Sequence, residues 1–496
     1  MRQSSFMRSS HELDFDELNH ADTIFEKEPE EFVPLHRSYS WIAKYRVPYR
    51  PSREGFDAIY YDKLTHMGVY SPTGSGKTFW RNTMLEVSLW NHDTNIVISD
   101  RKLDSLGFLL PQDPSVMLNS SFFPNPRTGN FPIKPDCLPR KNFHLWLPAT
   151  SYSFIDPLVR ELIEWGVVKF FRFHPRIFVE TTMGDHLPRA VGMTQIESLA
   201  TNQAMIYSRR KTNNERKMEN WDLKDLQKSF EKQDQLTHMS KPFEKLLMLE
   251  MSGIVSNEST VELIDKVNGD HIQHKCEVLR DVQDIIKSPT NLHVFCNRYM
   301  SSSTAESTLS TSINYILFSM IKEGCENTPN KRRVLCHLPE AENSLSRTKT
   351  EGTQGKIQRY FSDSYADALR ETRQWNLFHI LDTQQVTELP GKIPANQMTL
   401  WLMPGFKHRS ELNWLQAGVG RAHLRSNSWH DLFSMRNPFE NRGKCFYIGA
   451  DKAVKCWTRP RQTYHFREGN DPVRLLQDYR KTFGLDNAEN WIRWDE

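Results

Sequence analysis

Short apolar runs, each bounded by polar or turn-forming residues, recur along this chain of 496 residues. Runs of this kind are typical of buried strands. They lie at residues 66–70, 95–98, 292–296, 334–338 and 377–381. Apolar residues at helical spacing follow the first run, at 79–90, and the third, at 309–322. This alternation of strand and helix patterns predicts an α/β fold.

Two other parts of the chain show different patterns. In the long stretch from about 150 to 287, Leu223, Leu226 and Phe230 fall on one helical face with charged residues opposite, which predicts a mainly helical insertion. Near the C-terminus, residues 443–449 and 454–457 predict the two strands of a hairpin.

One loop has a spacing with specific chemistry. It lies between the first strand and the first helix and consists of Ser71, Pro72, Thr73, Gly74, Ser75, Gly76, Lys77 and Thr78. In this context such a loop binds the phosphates of a nucleotide. The glycines let backbone N–H groups turn towards phosphate oxygens, Lys77 would reach the β- and γ-phosphates, and Thr78 would ligate Mg²⁺. Ser71 replaces the usual first glycine, and Pro72 favours the extended backbone that a serine tolerates. We expect ATP and Mg²⁺ to bind here.

Further motifs follow this phosphate-binding loop in a fixed order. The second strand ends in Asp100, Arg101 and Lys102, and the strand at 377–384 ends in Thr383 and Gln384. Leu389, Ile393 and Asn396 come after it. Across roughly residues 62–110 and 288–466, this ordered set resembles the FtsK/HerA superfamily of DNA-pumping ATPases.

The resemblance implies a three-layer RecA-like P-loop NTPase core with a helical insertion, acting as a hexameric ring on double-stranded DNA. The expected organisation has five parts. These are an extension that is first acidic and then basic and aromatic (1–60), the first part of the core (61–150), a mainly helical insertion (151–287), the second part of the core (288–470) and a C-terminal helix and tail (471–496).

The strand at 334–338 occupies the place of the family's Walker B element, which ends in Asp-Glu. Glu340 matches the catalytic glutamate that polarises the attacking water, but Pro339 stands where the Mg²⁺-orienting aspartate is expected. Thr78 would still hold the metal, with Asp100 or Glu340 helping through water, and Asp382 is a further nearby carboxylate. Alternatively, this segment is simply a strand that ends at a proline, which makes nucleotide binding a safer expectation than fast hydrolysis.

Two more residues acquire roles from the resemblance. Arg373 begins the segment leading into the Thr-Gln strand, where an arginine would reach the γ-phosphate of a neighbouring subunit. Within that segment Asn376 stands for a glycine and suits a left-handed turn. Arg370 and Arg421 are competing candidates, and a solvated surface arginine is the plain alternative. Gln384 would sense the γ-phosphate or the attacking water.

A basic, glycine-containing tract follows the Walker B segment at residues 344–359. Its cations are Arg347, Lys349, Lys356 and Arg359. Mobile backbone, cations and hydroxyl groups suit a pore loop that grips DNA phosphates, although an ordinary surface loop has the same composition.

The overall composition permits this interpretation without specifying it. The formal net charge is +3, so any contact with DNA must come from local patches. The seven cysteines show no Cys-x-x-Cys spacing and suit reduced thiols of a cytoplasmic protein. No apolar run is long enough to span a bilayer, so we expect a soluble protein.

The N-terminal extension suggests a further contact. Nine acidic residues with scattered large apolar ones lie between residues 11 and 32, which suits docking on a partner protein or a solvated arm equally well. Residues 37–53 are basic and aromatic, which suits nucleic-acid binding, although we expect them to wrap the outside of a domain.

Three functional hypotheses remain from the sequence. The first is an ATP-driven ring motor that translocates double-stranded DNA during packaging or transfer. The second is a nucleotide-binding, weakly hydrolysing subunit with a role in assembly, because its Walker B element is damaged. The third is a protein-exporting ATPase of type IV secretion, which shares these motifs.

Overall fold

The fold is described from a computed structural model, and the acidic segment 11–32 and its expected partner lie outside the described residues. The structure describes residues 49–52, 55–58, 65–72, 74–89, 94–110, 138, 140–150, 153–180, 183–214, 221–231, 240–288, 292–297, 304–328, 332–346, 352–397, 399–403, 405–406, 408–419, 444–448, 453–457 and 463–464.

The strands and helices are as follows. The strands are β1 Tyr49–Ser52, β2 Gly55–Ala58, β3 Met67–Tyr70, β4 Thr94–Asp100, β5 Phe143–Pro148, β6 Ser153–Ile155, β7 Val168–Phe173, β8 Thr260–Asp265, β9 His271–Leu279, β10 Leu292–Cys296, β11 Arg333–Leu338, β12 Leu377–Thr383, β13 Thr399–Leu402, β14 Lys444–Ile448 and β15 Ala453–Trp457. The helices are α1 Lys77–Leu89, α2 Pro157–Glu164, α3 Ile177–Glu180, α4 Met183–Ala190, α5 Gln195–Asn214, α6 Leu223–Glu231, α7 Ser240–Met251, α8 Gln283–Ile286, α9 Thr304–Asn327, α10 Glu342–Leu345, α11 Gly352–Glu371, α12 Lys392–Asn396 and α13 Arg409–Val419.

All the described strands join one sheet. Its centre is parallel, in the order β13-β3-β12-β11-β4-β10-β5-β7-β9. Antiparallel strands β14, β15, β1 and β2 extend it beyond β13. At the other end of the sheet β8 pairs antiparallel with β9, and β6 pairs parallel with β8. Because the central strands are parallel, their carboxyl ends meet at one edge, where ligand sites of α/β sheets form.

Four of the central strands, β3, β4, β11 and β12, carry motifs found in the sequence, and β13 lies beside β3. When β3, β4, β11, β12 and β13 are numbered one to five along the chain, they lie in the order 5-1-4-3-2. The phosphate-binding loop therefore leaves a strand that is flanked by β12 and β13, and β12 separates it from β11. This is the arrangement of a RecA-like P-loop NTPase core, as the sequence predicted.

The sheet is the middle of three layers. Ile96 and Ile98 of β4 pack on the face that also holds Trp80 and Met84 of α1. Val97, between them, points to the opposite face, where α9 and α11 pack. The alternation follows from the strand period of two residues, which sends neighbouring side chains to opposite faces.

The segment 151–287 was expected to be a mainly helical insertion. It contains α2 to α8, but it also contributes β6 to β9, and β7 and β9 continue the parallel sheet beyond β5. The insertion is thus partly built into the core sheet, a feature that the amphipathic helix pattern did not indicate. Among the described residues, no helix is both long and apolar enough to cross a membrane.

Candidate functional site

The phosphate-binding loop has the backbone that its sequence requires. Gly74 and Gly76 adopt φ angles of 83° and 87°, a region that glycine reaches without steric cost. Ser71 is fully buried, and its N–H donates to the Thr383 carbonyl at 3.2 Å, which ties the start of the loop to the end of β12. Helix α1 begins at Lys77, so its N-terminus faces the loop. Thr73 lies outside the described residues.

A cluster of charged side chains lies beneath this loop. Asp382, at the end of β12, is fully buried and forms an ion pair with Lys77 of α1. Arg81, one turn further along α1, donates to the other carboxylate oxygen at 3.2 Å. His337 of β11 approaches the same oxygen with its Nε2 at 3.0 Å. Three elements that are distant in the sequence thus converge on one carboxylate.

Charge states in the cluster follow from burial and from these partners. Burial alone would raise the pKa of Asp382, but the charge of Lys77, the hydrogen bond from His337 and the charge of Arg81 hold it well below its usual range. Burial lowers the pKa of His337 to about 4. At neutral pH Asp382 is therefore ionised and His337 is neutral, with Nε2–H donating to the carboxylate.

Strand register fixes where the missing Walker B aspartate would lie. His337 is level with Ile380 of β12 and with Ile98 of β4. Continued past the end of β11, this register brings Pro339 level with Asp382 on one side and with Asp100 on the other. Side chains two residues apart on a strand share a face, so Asp382 and Asp100 point to the face that α1 covers. Pro339, in the turn after β11, lines the pocket on that face.

The two flanking carboxylates have different partners. Asp100 accepts hydrogen bonds from the backbone N–H groups of Lys102, Leu103 and Ser105 at 2.9, 3.0 and 3.0 Å. These bonds hold the turn after β4, in which Leu103 has a φ of 60°. Asp100 lines the pocket, but both of its oxygens are engaged by the backbone.

Glu340 lies at the mouth of the site. Its φ of 47° is left-handed, and its N–H donates to Asp382 at 3.0 Å, so the chain turns sharply over Asp382 after β11. Its carboxylate pairs with Lys102 and accepts a hydrogen bond from the Asn343 side chain at 3.3 Å. The lysine of the Asp-x-Lys motif thus positions the predicted catalytic glutamate.

A second glutamate lies close by. Glu342 accepts a hydrogen bond from the backbone N–H of Gln384 at 3.4 Å, which places the predicted sensor Gln384 beside α10. Burial raises the pKa of Glu342, against the opposing charge of Lys77 and a hydrogen bond from Thr383. The sequence assigned no role to Glu342, Arg81 or His337. Only their proximity in the fold reveals them, although the Arg81 position four residues after Lys77 does indicate a shared helical face.

The site opens into a pocket that is partly open to solvent. Its walls come from the phosphate-binding loop, the turn after β4 and the end of β11. The lining residues are Lys77, Thr78, Arg81, Asp100, Arg101, Lys102, Asp104, Pro339 and Glu340. A cationic floor beside a hydroxyl group and carboxylates suits a phosphate group that carries a divalent cation.

Arg373 lies far from this pocket. It is exposed in the short 3₁₀ turn Thr372–Trp375, directly before the amino end of β12. Asn376 ends that turn with a φ of 54°, as its substitution for glycine predicted. The pocket lies at the carboxyl ends of the strands, so Arg373 is at the opposite edge of the sheet. Arg370 pairs with Asp367, and Arg421 lies outside the described residues.

The basic tract at 344–359 differs from the expected mobile loop. Helix α11 begins at Gly352, so Lys356 and Arg359 occupy its first two turns, and residues 342–345 form α10. The glycines had suggested a flexible tract, but Gly352 starts the helix with a φ of 78° and Gly355 is buried within it. Arg347 and Lys349 lie outside the described residues.

Comparisons with known proteins found no matching family model and no matching curated protein. Similar solved structures include VirB4 of Thermoanaerobacter pseudethanolicus, at 11% identity and a TM-score of 0.47, covering 82% of this chain and 95% of that one. The bacterial conjugative coupling protein TrwB matches at 11% identity and a TM-score of 0.44, covering 81% of this chain and 87% of that one. The genome packaging NTPase B204 from Sulfolobus turreted icosahedral virus 2 matches at 12% identity and a TM-score of 0.24, covering 35% of this chain and 70% of that one. Likenesses of this size do not transfer a function.

Proposed function

We propose that this protein is an ATPase that assembles as a ring, with six subunits, and moves double-stranded DNA in genome packaging or DNA transfer. The observation that carries the ATPase is the convergence of Lys77, Asp382 and Glu340 at the carboxyl edge of the sheet, beneath a loop with the two positive-φ glycines that phosphate binding requires. The choice of DNA rests on the ordered motifs that resemble the FtsK/HerA superfamily.

The residues present fit ATP and Mg²⁺. Backbone N–H groups of the loop and the N-terminus of α1 would bind phosphate oxygens, and Lys77 would neutralise the β- and γ-phosphates. Thr78, half-buried in the first turn of α1, would ligate the metal. Bound Mg²⁺ neutralises charge on the phosphates as the terminal phosphoryl group is transferred. Glu340 would hold the attacking water, and Gln384 would respond to the γ-phosphate.

A ring is supported by the position of Arg373. An exposed arginine at the sheet edge away from the pocket is too distant to act on its own nucleotide, so we infer that it approaches that of a neighbouring subunit. Such an arginine stabilises charge on the equatorial phosphate oxygens in the transition state. Ring assembly would then couple each site to the next.

A second candidate function, a nucleotide-binding subunit with little turnover, is favoured by one observation. Pro339 occupies the Walker B aspartate position, and Asp100 beside it is engaged by backbone N–H groups. A site that orients its metal poorly would bind ATP without hydrolysing it quickly. That subunit would serve assembly of a packaging or secretion machine.

Steady-state ATP turnover with and without duplex DNA separates the two functions. For the motor, we expect turnover that requires Mg²⁺ and rises several-fold with duplex DNA. A protein chain in place of DNA tests the secretion alternative and is expected to have no effect. ATP binding without turnover, unchanged by DNA, would support the assembly subunit instead.

A further inference from the structure

We propose that Asp382, on β12, is the carboxylate that orients the nucleotide-bound Mg²⁺, replacing the aspartate that is absent at Pro339 of β11. The proposal rests on the ATPase function above and specifies its metal site. It transfers a role expected of one strand to the neighbouring strand.

Register and direction make the transfer possible. Leu338 is level with Leu381 in the parallel pair of β11 and β12, so the next residues, Pro339 and Asp382, are level with each other. The Asp382 side chain points to the α1 face of the sheet. Adjacent strands lie about 4.8 Å apart. A carboxylate on β12 therefore starts one strand spacing nearer to β3 and to the phosphate-binding loop.

The partners of Asp382 come from the nucleotide-binding machinery. Lys77 and Arg81 project from α1 and pair with Asp382. Thr78, which would ligate the metal, lies on the same helix, so the Asp382 carboxylate already faces the helix that carries this ligand. The Glu340 N–H and the His337 side chain hold it from the β11 side, at 3.0 Å each. These bonds fix the orientation of the carboxylate.

The Lys77 ammonium group has two anionic partners in this proposal, the Asp382 carboxylate and the phosphates of a bound nucleotide. Without phosphate, its ammonium group pairs with Asp382. With ATP bound, the same group would move to the β- and γ-phosphates, as the loop motif requires. Asp382 would then exchange one cation for another by facing Mg²⁺ through a water molecule, while Arg81 remains as its second partner.

Asp100 is the competing carboxylate, and its contacts argue against it. Three backbone N–H groups occupy it, and rotating it towards a metal would leave those donors unsatisfied in the turn after β4. Leaving a buried N–H group without an acceptor destabilises the fold. In the part of the chain that the structure describes, Asp100 has no lysine or arginine partner and therefore no cation to exchange.

The matched variants for a test are Asp382→Asn and Asp100→Asn, each of which removes one charge from a position beside Pro339. The affinity for a fluorescent, non-hydrolysable ATP analogue is measured with Mg²⁺ and with EDTA. We expect Mg²⁺ to raise the affinity of the wild-type protein and of Asp100→Asn by similar factors. In Asp382→Asn that gain should fall at least about tenfold, and affinity in EDTA should be kept or improved.

Restoring a carboxylate at the original position provides the complementary test. Pro339→Asp combined with Asp382→Asn should recover most of the Mg²⁺ gain. If Asp382→Asn alone melts below the assay temperature, the double variant Arg81→Gln with Asp382→Asn is used instead, because it removes a cation and an anion together. Its gain in affinity on adding Mg²⁺ is compared with that of Arg81→Gln alone. Mn²⁺ bound with the nucleotide gives a second readout by electron paramagnetic resonance, and the spectrum should change only when Asp382 is altered.

The outcomes are distinguishable. A full Mg²⁺ gain in Asp382→Asn, or its loss in Asp100→Asn alone, overturns the assignment to Asp382 while leaving the ATPase function intact. Failure of the wild-type protein to bind the analogue with or without Mg²⁺ overturns the proposed function itself.

Discussion

Lys77 and Asp382 form a buried ion pair although they lie 305 residues apart in the sequence. The pair joins α1, which follows the phosphate-binding loop, to β12, the strand that separates this loop from β11. Burying two charges is expensive unless they are paired and hydrogen-bonded, and Arg81 and His337 supply the additional bonds. The nucleotide site is therefore also a structural connection between the two halves of the core.

Removing Lys77 tests whether this connection is a nucleotide site. Lys77→Ala should lower ATP turnover at least about 100-fold, because the β- and γ-phosphates lose their fixed cation. Arg81 and His337 still pair with Asp382, so the chain should stay folded. Lys392→Ala, an exposed lysine at the start of α12, is the control. Parental turnover in Lys77→Ala would mean that the site is assigned wrongly.

The two glutamates after β11 separate binding from hydrolysis. Glu340→Gln should retain ATP and lose turnover at least about 100-fold, because an amide does not polarise the attacking water. Gel filtration with ATP should show a stabilised ring. Glu342→Gln, two residues away, should keep most of its activity. The reverse result would move the catalytic role to Glu342, whose carboxylate is closer to Thr383 and Gln384.

Arg373 should act on a neighbouring subunit. Arg373→Ala subunits should bind ATP normally but inactivate mixed rings, so activity should fall faster than linearly with the fraction of mutant subunits. Arg370→Ala, which removes an exposed arginine paired with Asp367, is the control. A linear decline would exclude action in trans by Arg373 and make Arg421 the next candidate.

Contacts with DNA phosphates should depend on the basic tract around the start of α11. Neutralising Arg347, Lys349 and Lys356 together should weaken binding to all sequences. It should also reduce the slope of log K against log salt concentration by up to about one unit for each lost contact. Basal ATP turnover should persist. Unchanged affinity at moderate salt would remove the support for a DNA-gripping role here.

Buried histidines should make the stability depend on pH. Burial lowers the pKa of His66, His144, His186 and His337 from 6.5 to about 4, and it lowers the pKa of His379 well below 6.5. Between these two pH values the unfolded chain binds protons that the folded chain does not. Stability should therefore fall as the pH drops below about 6.5, by up to about 1.4 kcal/mol per pH unit for each proton.

Urea unfolding at a series of pH values between 7.5 and 5 measures this slope. His186→Gln, which lies away from the nucleotide site, should make the slope shallower. A stability that is constant over this range would contradict the neutral, buried state of these side chains.

The sequence predicted the parts of the fold that local patterns determine. Apolar runs located β3, β4, β10, β11 and β12 to within a few residues, and the hairpin of β14 and β15 was found from its own pattern. The positive φ of Gly74, Gly76 and Asn376 followed from residue type, because few residues adopt this backbone conformation without strain.

Long-range relationships were not accessible in the same way. A run of apolar residues indicates a strand but does not identify its neighbours, so only the role that the resemblance gave to Gln384 indicated that β12 lies beside the phosphate-binding loop. The ion pair of Lys77 with Asp382 depends on that adjacency. The contribution of β7 and β9 to the sheet was also missed, because β9 alternates weakly and its first residues are exposed.

Displacement of a third strand from a DNA triplex tests most directly whether the protein is an ATP-driven motor on double-stranded DNA. The wild-type protein should release the third strand with ATP and Mg²⁺, at a rate that saturates with ATP. It should not do so with a non-hydrolysable analogue, and the Glu340→Gln protein should release none in either case. Rapid ATP turnover on duplex DNA with no release of the third strand would contradict the account.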